Sequence, residues 1–195
     1  KELEERWAKK IGTEYSVYVN SGSSAILLAL AALKYTSSPV LKNNKIVVPN
    51  LSWATDVSSP DLLGYDVILA DCNLEDLSVD LKSLEKLFIE EKPAVFILVS
   101  VLGFVPDMSS IVNLCDKYGQ FGLASCYSLY FGHHLSTIEG GFINTSNKAF
   151  YNLLLSMRSH GWDRDCDSDI QKQWREEHDV DDFSSLYSFF YPGFN

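Results

Sequence analysis

Two adjacent histidines, His133 and His134, stand just ahead of an acidic glycine pair, Glu139-Gly140-Gly141. Imidazole, with an unperturbed pKa near ~6.5, takes and returns protons at neutral pH better than any other side chain. On an extended backbone the two rings point to opposite faces, so only one of them is expected to face a reacting group. A second group of residues, Asn20-Ser21-Gly22-Ser23-Ser24-Ala25, lies between a short apolar segment and a run of helix formers. Backbone N–H groups at a helix start are unsatisfied and carry partial positive charge. Gly22 permits close approach and the Ser23 and Ser24 hydroxyls add donors, a chemistry suited to a phosphate monoester. A serine N-cap on a core helix accounts for the same residues.

Three further features have chemical potential. Trp53 offers a broad π face on which a flat heteroaromatic ring can stack with its edge free for hydrogen bonds, although a tryptophan after a strand also serves as plain core. Arg158 and Arg164, in Arg158-Ser159-His160-Gly161-Trp162-Asp163-Arg164, carry planar forks that match a diphosphate or a carboxylate. A solvated charged loop reads equally well. His178 sits in the acidic run Arg175 to Asp182, a solvated face whose spacing fits no established metal-ligand pattern, and no metal site is assigned.

The elements that must position these residues alternate between helical and extended patterns, which implies α/β architecture. The pattern predicts an amphipathic helix over Glu2–Ile11, a strand over Tyr15–Val19 and a helix over Ala25–Leu33 that is apolar on nearly every face and therefore buried. Strands follow at Lys45–Pro49 and Val67–Ala70. A charged helix covers Leu81–Glu91, and Ala94–Val101 reads as a central strand covered on both faces. Met108–Tyr118 is a further helix, introduced by Pro106-Asp107 and closed near Gly119.

Composition narrows the function classes. A chain of 195 residues with 46% hydrophobic content supports one sizeable core, and its net charge of −10 leaves no basic stripe for nucleic-acid phosphates. No apolar run reaches the length of a membrane span, and the charged first ten residues do not resemble a signal peptide, which points to the cytoplasm. Cys72, Cys115, Cys126 and Cys166 show neither a CxxC pair nor disulfide-scaffold density, so free thiols are expected.

The stretch Ser125-Cys126-Tyr127-Ser128-Leu129-Tyr130-Phe131-Gly132-His133-His134-Leu135-Ser136-Thr137-Ile138-Glu139-Gly140-Gly141 resembles the cofactor-anchoring segment of the DegT/DnrJ/StrS-type sugar aminotransferases and dehydratases, fold-type I pyridoxal-phosphate enzymes. Most of that family places a lysine six residues before Glu-Gly-Gly, where its amine forms a Schiff base with the cofactor. Here that residue is His133, as in the family's nucleotide-sugar 3-dehydratase branch, and no lysine occurs between Lys117 and Lys148.

By the same resemblance, Gly22, Ser23, Ser24, Trp53, Ser128 and Asn195 are cofactor-binding and His133 is the catalytic base. Asn195, in Tyr191-Pro192-Gly193-Phe194-Asn195, matches a residue that reaches the phosphate across a dimer interface. Read alone, Asn195 is a turn residue after Pro-Gly.

The resemblance implies a single large domain over 1–195, with a mixed, mainly parallel sheet flanked by helices, acting as a homodimer. The cofactor is expected to be pyridoxal 5′-phosphate or its aminated form, pyridoxamine 5′-phosphate. The expected reaction is 3-dehydration of a 4-keto-6-deoxy sugar nucleotide in deoxysugar biosynthesis, with an amino donor such as glutamate. A sugar aminotransferase and a non-catalytic relative are the alternatives. One departure stands out: relatives continue past the helix ending near Gly119 into a strand that ends in an aspartate paired with the pyridinium nitrogen, and this sequence passes directly to Phe121-Gly122-Leu123-Ala124. Two explanations compete, a missing segment near 119–120 and a natural, degenerate or truncated relative with impaired catalysis, and truncation at both ends is expected.

Overall fold

The computed structural model describes residues 1–36, 43–118 and 122–194. In chain order the helices are α1 (Glu2–Ile11), α2 (Gly22–Leu33), α3 (Ala54–Leu62), α4 (Leu81–Glu90), α5 (Met108–Lys117), α6 (Lys148–Arg158) and α7 (Ser168–Glu177). The strands are β1 (Tyr15–Val19), β2 (Lys45–Pro49), β3 (Asp66–Ala70), β4 (Val95–Phe96), β5 (Ser125–Ser128) and β6 (Gly141–Thr145). These elements fall into two compact units, one formed by the chain up to Ser37 together with everything from Leu123, the other by Ser38–Gly122. The α/β class holds, with one three-stranded sheet in each unit.

In the first unit the sheet order is β1-β6-β5, antiparallel throughout. Every residue of β6 is buried, as befits a central strand, and Phe142 and Ile143 point to its two faces. On the Phe142 face, Trp7 of α1 stacks at 4.7 Å between ring centroids and meets Tyr127 edge-on at 5.7 Å. Helix α1 carries Glu2, Glu4 and Glu5 in its first turn and Lys9 and Lys10 in its last, matching its dipole at both ends. It stops at Gly12, whose left-handed φ of 85° lets its N–H donate to Ala8 O. Helix α2 is the all-apolar helix anticipated, burying Ala25, Leu28, Ala29, Leu30, Ala31 and Ala32.

The second unit has a parallel sheet of order β3-β2-β4, with Ile46, Val47 and Val48 of the central strand wholly buried. Its core gathers Val47, Ala70, Val79, Leu84, Phe88 and Ile111. Asp80 and Asp107 cap α4 and α5, accepting from Ser83 N at 2.7 Å and Ser110 N at 3.1 Å.

The central strand anticipated over Ala94–Val101 is not formed. Only Val95 and Phe96 pair with β2, Ile97 N adds one bond to Val47 O, and the chain then leaves the sheet for a 3₁₀ turn at Val101–Gly103. β4 is an edge strand among the described residues, and its side chains are half-buried. A continuous apolar run shows that a segment avoids water, but a ladder extends only as far as a partner strand supports it.

Candidate functional site

The site grows from the end of β5. After Ser128 the chain leaves the sheet, and Leu129 N donates back to Gly140 O at 2.8 Å, closing the loop that carries both histidines. Within it His133 N donates to Tyr130 O at 3.0 Å, so the backbone turns where an extended path was expected. The expected alternation of His133 and His134 therefore does not apply, and both rings are exposed. His133 is distinguished by a contact: its Nε2 shares a hydrogen bond of 2.9 Å with Ser128 Oγ. The Tyr130 ring stands edge-on to the imidazole at 5.8 Å.

The start of α2 abuts the same place. A Cβ added at Gly22 would lie 2.5 Å from Ser128 Cβ and 3.0 Å from its Cα, and one added at Gly141 would collide with the Ser21 carbonyl. Both glycines are thus required by close approach. The helix cap is Ser21, whose Oγ accepts from Ser24 N at 3.1 Å and lies 3.0 Å from Ser24 Oγ. The capping and phosphate readings of this segment coexist: Ser21 satisfies one backbone donor, while the helix start with its partial positive charge faces Ser128. Ser21 is the residue the sequence reading passed over. Its signal was the Ser21-x-x-Ser24 spacing at the first helical turn.

Other anticipated residues fare differently. Both arginines make contacts within the protein. Arg158 Nη1 donates to Glu4 Oε1 at 2.5 Å and to Tyr18 O at 3.1 Å. The Arg164 guanidinium lies 3.9 Å from the Trp162 ring centroid, and its Nη2 donates to Leu186 O. The segment before Asn195 is sewn to this loop through His160 N to Phe194 O, 3.1 Å, and Phe194 N to Met157 O, 2.7 Å. Asn195 itself lies outside the described residues.

Trp53, in the second unit, precedes α3 and is 72% exposed, so it is not core. Its backbone N–H donates to Asp56 Oδ2 at 3.0 Å, and burial raises the Asp56 carboxyl above its ordinary value against the opposing effect of that bond.

His178 is exposed and tilts against Phe190. All four cysteines are free thiols, and burial pushes the Cys166 thiol up to about 12. No cluster of potential metal ligands occurs among the described residues, and no described helix is long and apolar enough to cross a membrane.

A helix start, a hydroxyl and an imidazole are thus brought together without a lysine. A profile of the DegT/DnrJ/EryC1/StrS aminotransferase family matches residues 1–120 and 116–195. The chain is 31% identical to a GDP-4-keto-6-deoxy-D-mannose 3-dehydratase of Yersinia pseudotuberculosis, over 217 residues covering 100% of this chain and 54% of the relative. An alignment of 217 positions against a chain of 195 leaves gaps in this sequence.

Among solved structures, the E. coli GDP-4-keto-6-deoxy-D-mannose-3-dehydratase with bound hydrated PLP superposes with a TM-score of 0.81 at 28% identity, over 100% of this chain and 55% of that one. A GDP-4-keto-6-deoxymannose-3-dehydratase with a trapped PLP-glutamate geminal diamine superposes equally well, with a TM-score of 0.81, 28% identity and the same shares of each chain. The chain spans about half the length of these relatives. Its described elements share the large-domain fold of fold-type I PLP enzymes. Matched along its whole length, the chain belongs to the DegT/DnrJ/EryC1/StrS aminotransferase family.

Proposed function

We propose that this chain is the cofactor-binding large domain of a PLP/PMP-dependent nucleotide-sugar 3-dehydratase, acting on a 4-keto-6-deoxy sugar nucleotide of the GDP-sugar kind named for its relatives. The observation that carries the reading is His133, standing where a covalent anchor would be and bonded to Ser128 at 2.9 Å beside the start of α2. An imidazole cannot hold an aldehyde cofactor covalently, whereas the helix start at Gly22 suits the phosphate of one held without a bond. The residues therefore fit the aminated cofactor. When bound, pyridoxamine 5′-phosphate would supply an amine for the sugar ketone and a conjugated ring that would take up the electron pair left when its C4′ carbon loses a proton and give it back as the 3-hydroxyl departs.

In this reading the backbone and hydroxyls of Gly22, Ser23 and Ser24 hold the phosphate. Ser128 fixes the rotamer of His133, and the His133 imidazole takes and returns the proton. Asn195 completes the phosphate contacts from the second subunit of a cytoplasmic homodimer. Glutamate is the amino donor, in keeping with the adduct in a solved relative.

The test combines cofactor trapping with one substitution. Protein given pyridoxal phosphate and borohydride should show no covalent adduct, pyridoxamine phosphate should bind reversibly, and His133→Asn should keep binding while turnover falls by roughly 10²- to 10⁴-fold. A reducible lysine adduct would move the assignment to an aminotransferase. Absence of binding by either form would make the chain a non-catalytic relative.

A further inference from the structure

We propose that Tyr18 is a positioning residue for His133: its hydroxyl holds down the far end of the loop on which the histidine rides. The inference rests on the assignment of His133 as the base. Tyr18 lies in β1, directly opposite Phe142 of β6, and its ring meets Phe142 edge-on at 5.1 Å. Its backbone is held on both sides, the N–H donating to Glu4 Oε1 at 2.8 Å and the carbonyl accepting from Arg158. From this fixed base the phenol reaches out of the sheet. Tyr18 Oη donates to Glu139 O at 3.0 Å, and Thr137 Oγ1 donates to the same oxygen at 2.7 Å, the two hydroxyls standing 3.4 Å apart. One carbonyl thus receives two hydrogens, which fixes the return limb of the loop.

Two features show that this limb is shaped around the tyrosine. A Cβ added at Gly140 would lie 2.5 Å from Tyr18 Oη and 2.6 Å from Thr137 Oγ1, so the first glycine of Glu139-Gly140-Gly141 leaves room for the phenol just as the second leaves room for Ser21. Between Thr137 and Glu139, within the clamp, Ile138 sits at φ 73°, a conformation that β-branched residues rarely adopt unless their surroundings impose it. The outgoing limb is coupled to the returning one through Thr137 N and Ser136 Oγ, both donating to Leu129 O, at 3.1 and 3.2 Å. Leu129 follows Ser128, the hydrogen-bond partner of His133. Tyr18 therefore bears on the His133–Ser128 pair through the loop, without touching a reacting atom.

Tyr18→Phe in the full chain tests this, because it keeps the ring against Phe142 and removes only the hydroxyl. Histidine ring C–H signals are followed by NMR titration and assigned with His133→Asn. We expect the His133 signal to move while those of His160 and His178 stay, with a fall in kcat of roughly ten- to a hundred-fold at little change in KM. Should Tyr18→Phe not fold, Thr137→Val removes the second donor from an exposed loop and is read in the same way. An unmoved His133 signal in a folded variant overturns the proposal. Full turnover in His133→Asn would instead sink the functional assignment while leaving the NMR result standing as a test of the clamp.

Discussion

At the scale of single residues, the loop between β5 and β6 concentrates both chemistry and strain. Ile138, 77% exposed, gains little from burial, yet holds a left-handed backbone that costs a β-branched residue about 1–2 kcal/mol. Ile138→Asn, which tolerates that region, should raise stability by about 1 kcal/mol in urea unfolding and leave the His133–Ser128 contact unchanged. A loss of stability would show that the isoleucine makes a contact worth more than the strain. His133 was legible from its place before Glu139-Gly140-Gly141. Its partnership with Ser128 was anticipated only as two residues near one cofactor, because a hydrogen bond across a turn depends on dihedral angles that residue type does not specify. His134 illustrates the converse. Its exclusion was argued from an extended backbone, and the turn at Tyr130 removes that premise.

At the scale of elements, the start of α2 works only because nothing projects from Gly22. Gly22→Ala would press a methyl onto Ser128, whose Cα and Cβ belong to a paired strand and cannot yield easily. We expect a stability loss of about 1–3 kcal/mol and at least a ten-fold weaker hold on pyridoxamine phosphate by equilibrium titration. Unaltered affinity would reduce this segment to a helix cap.

A second tie, Glu4 to Arg158 and to Tyr18 N, joins α1, β1 and α6. Burial pushes the Glu4 carboxyl up, but the Tyr18 N–H and the Arg158 guanidinium together outweigh it and hold the group below its ordinary 4.5. A lowered carboxylate pKa adds stability above the unfolded value, and that stability is lost as pH falls through the folded value. Glu4→Gln should therefore cost about 1.5–3 kcal/mol near pH 7, with the gap from wild type closing in acid, as followed by thermal melts across pH. A gap independent of pH would mean that Glu4 acts by shape alone.

At the scale of the whole molecule, ligand linkage gives a test that does not depend on turnover. Pyridoxamine phosphate at about 100 times its Kd should add about 2.7 kcal/mol to folding, visible as a raised melting temperature, and His133→Asn, which keeps binding, should show the same gain. Sedimentation should give a particle of twice the 21.9 kDa chain mass, consistent with exposed Phe183, Tyr187 and Phe189 on the segment leading to Asn195. A monomer that still binds cofactor tightly would remove the cross-subunit role proposed for Asn195.

The sequence by itself determined the residue types: an imidazole in place of an amine, glycines where chain segments must approach, and an apolar helix behind them. These follow from composition and short-range spacing, since propensity, periodicity and motif order are local properties. Tertiary structure alone decided the pairings. Arg158 looked available to an anion until Glu4 and Tyr18, distant in sequence, accepted from its guanidinium. Ala94–Val101 looked like a central strand until pairing stopped after Phe96, because a ladder needs a neighbour and hydrophobicity does not supply one. The double glycine before β6 was visible in the sequence as a motif. That one glycine clears the phenol of Tyr18 and the other the carbonyl of Ser21 depends on which atoms lie within a few ångströms, and only the folded chain sets that.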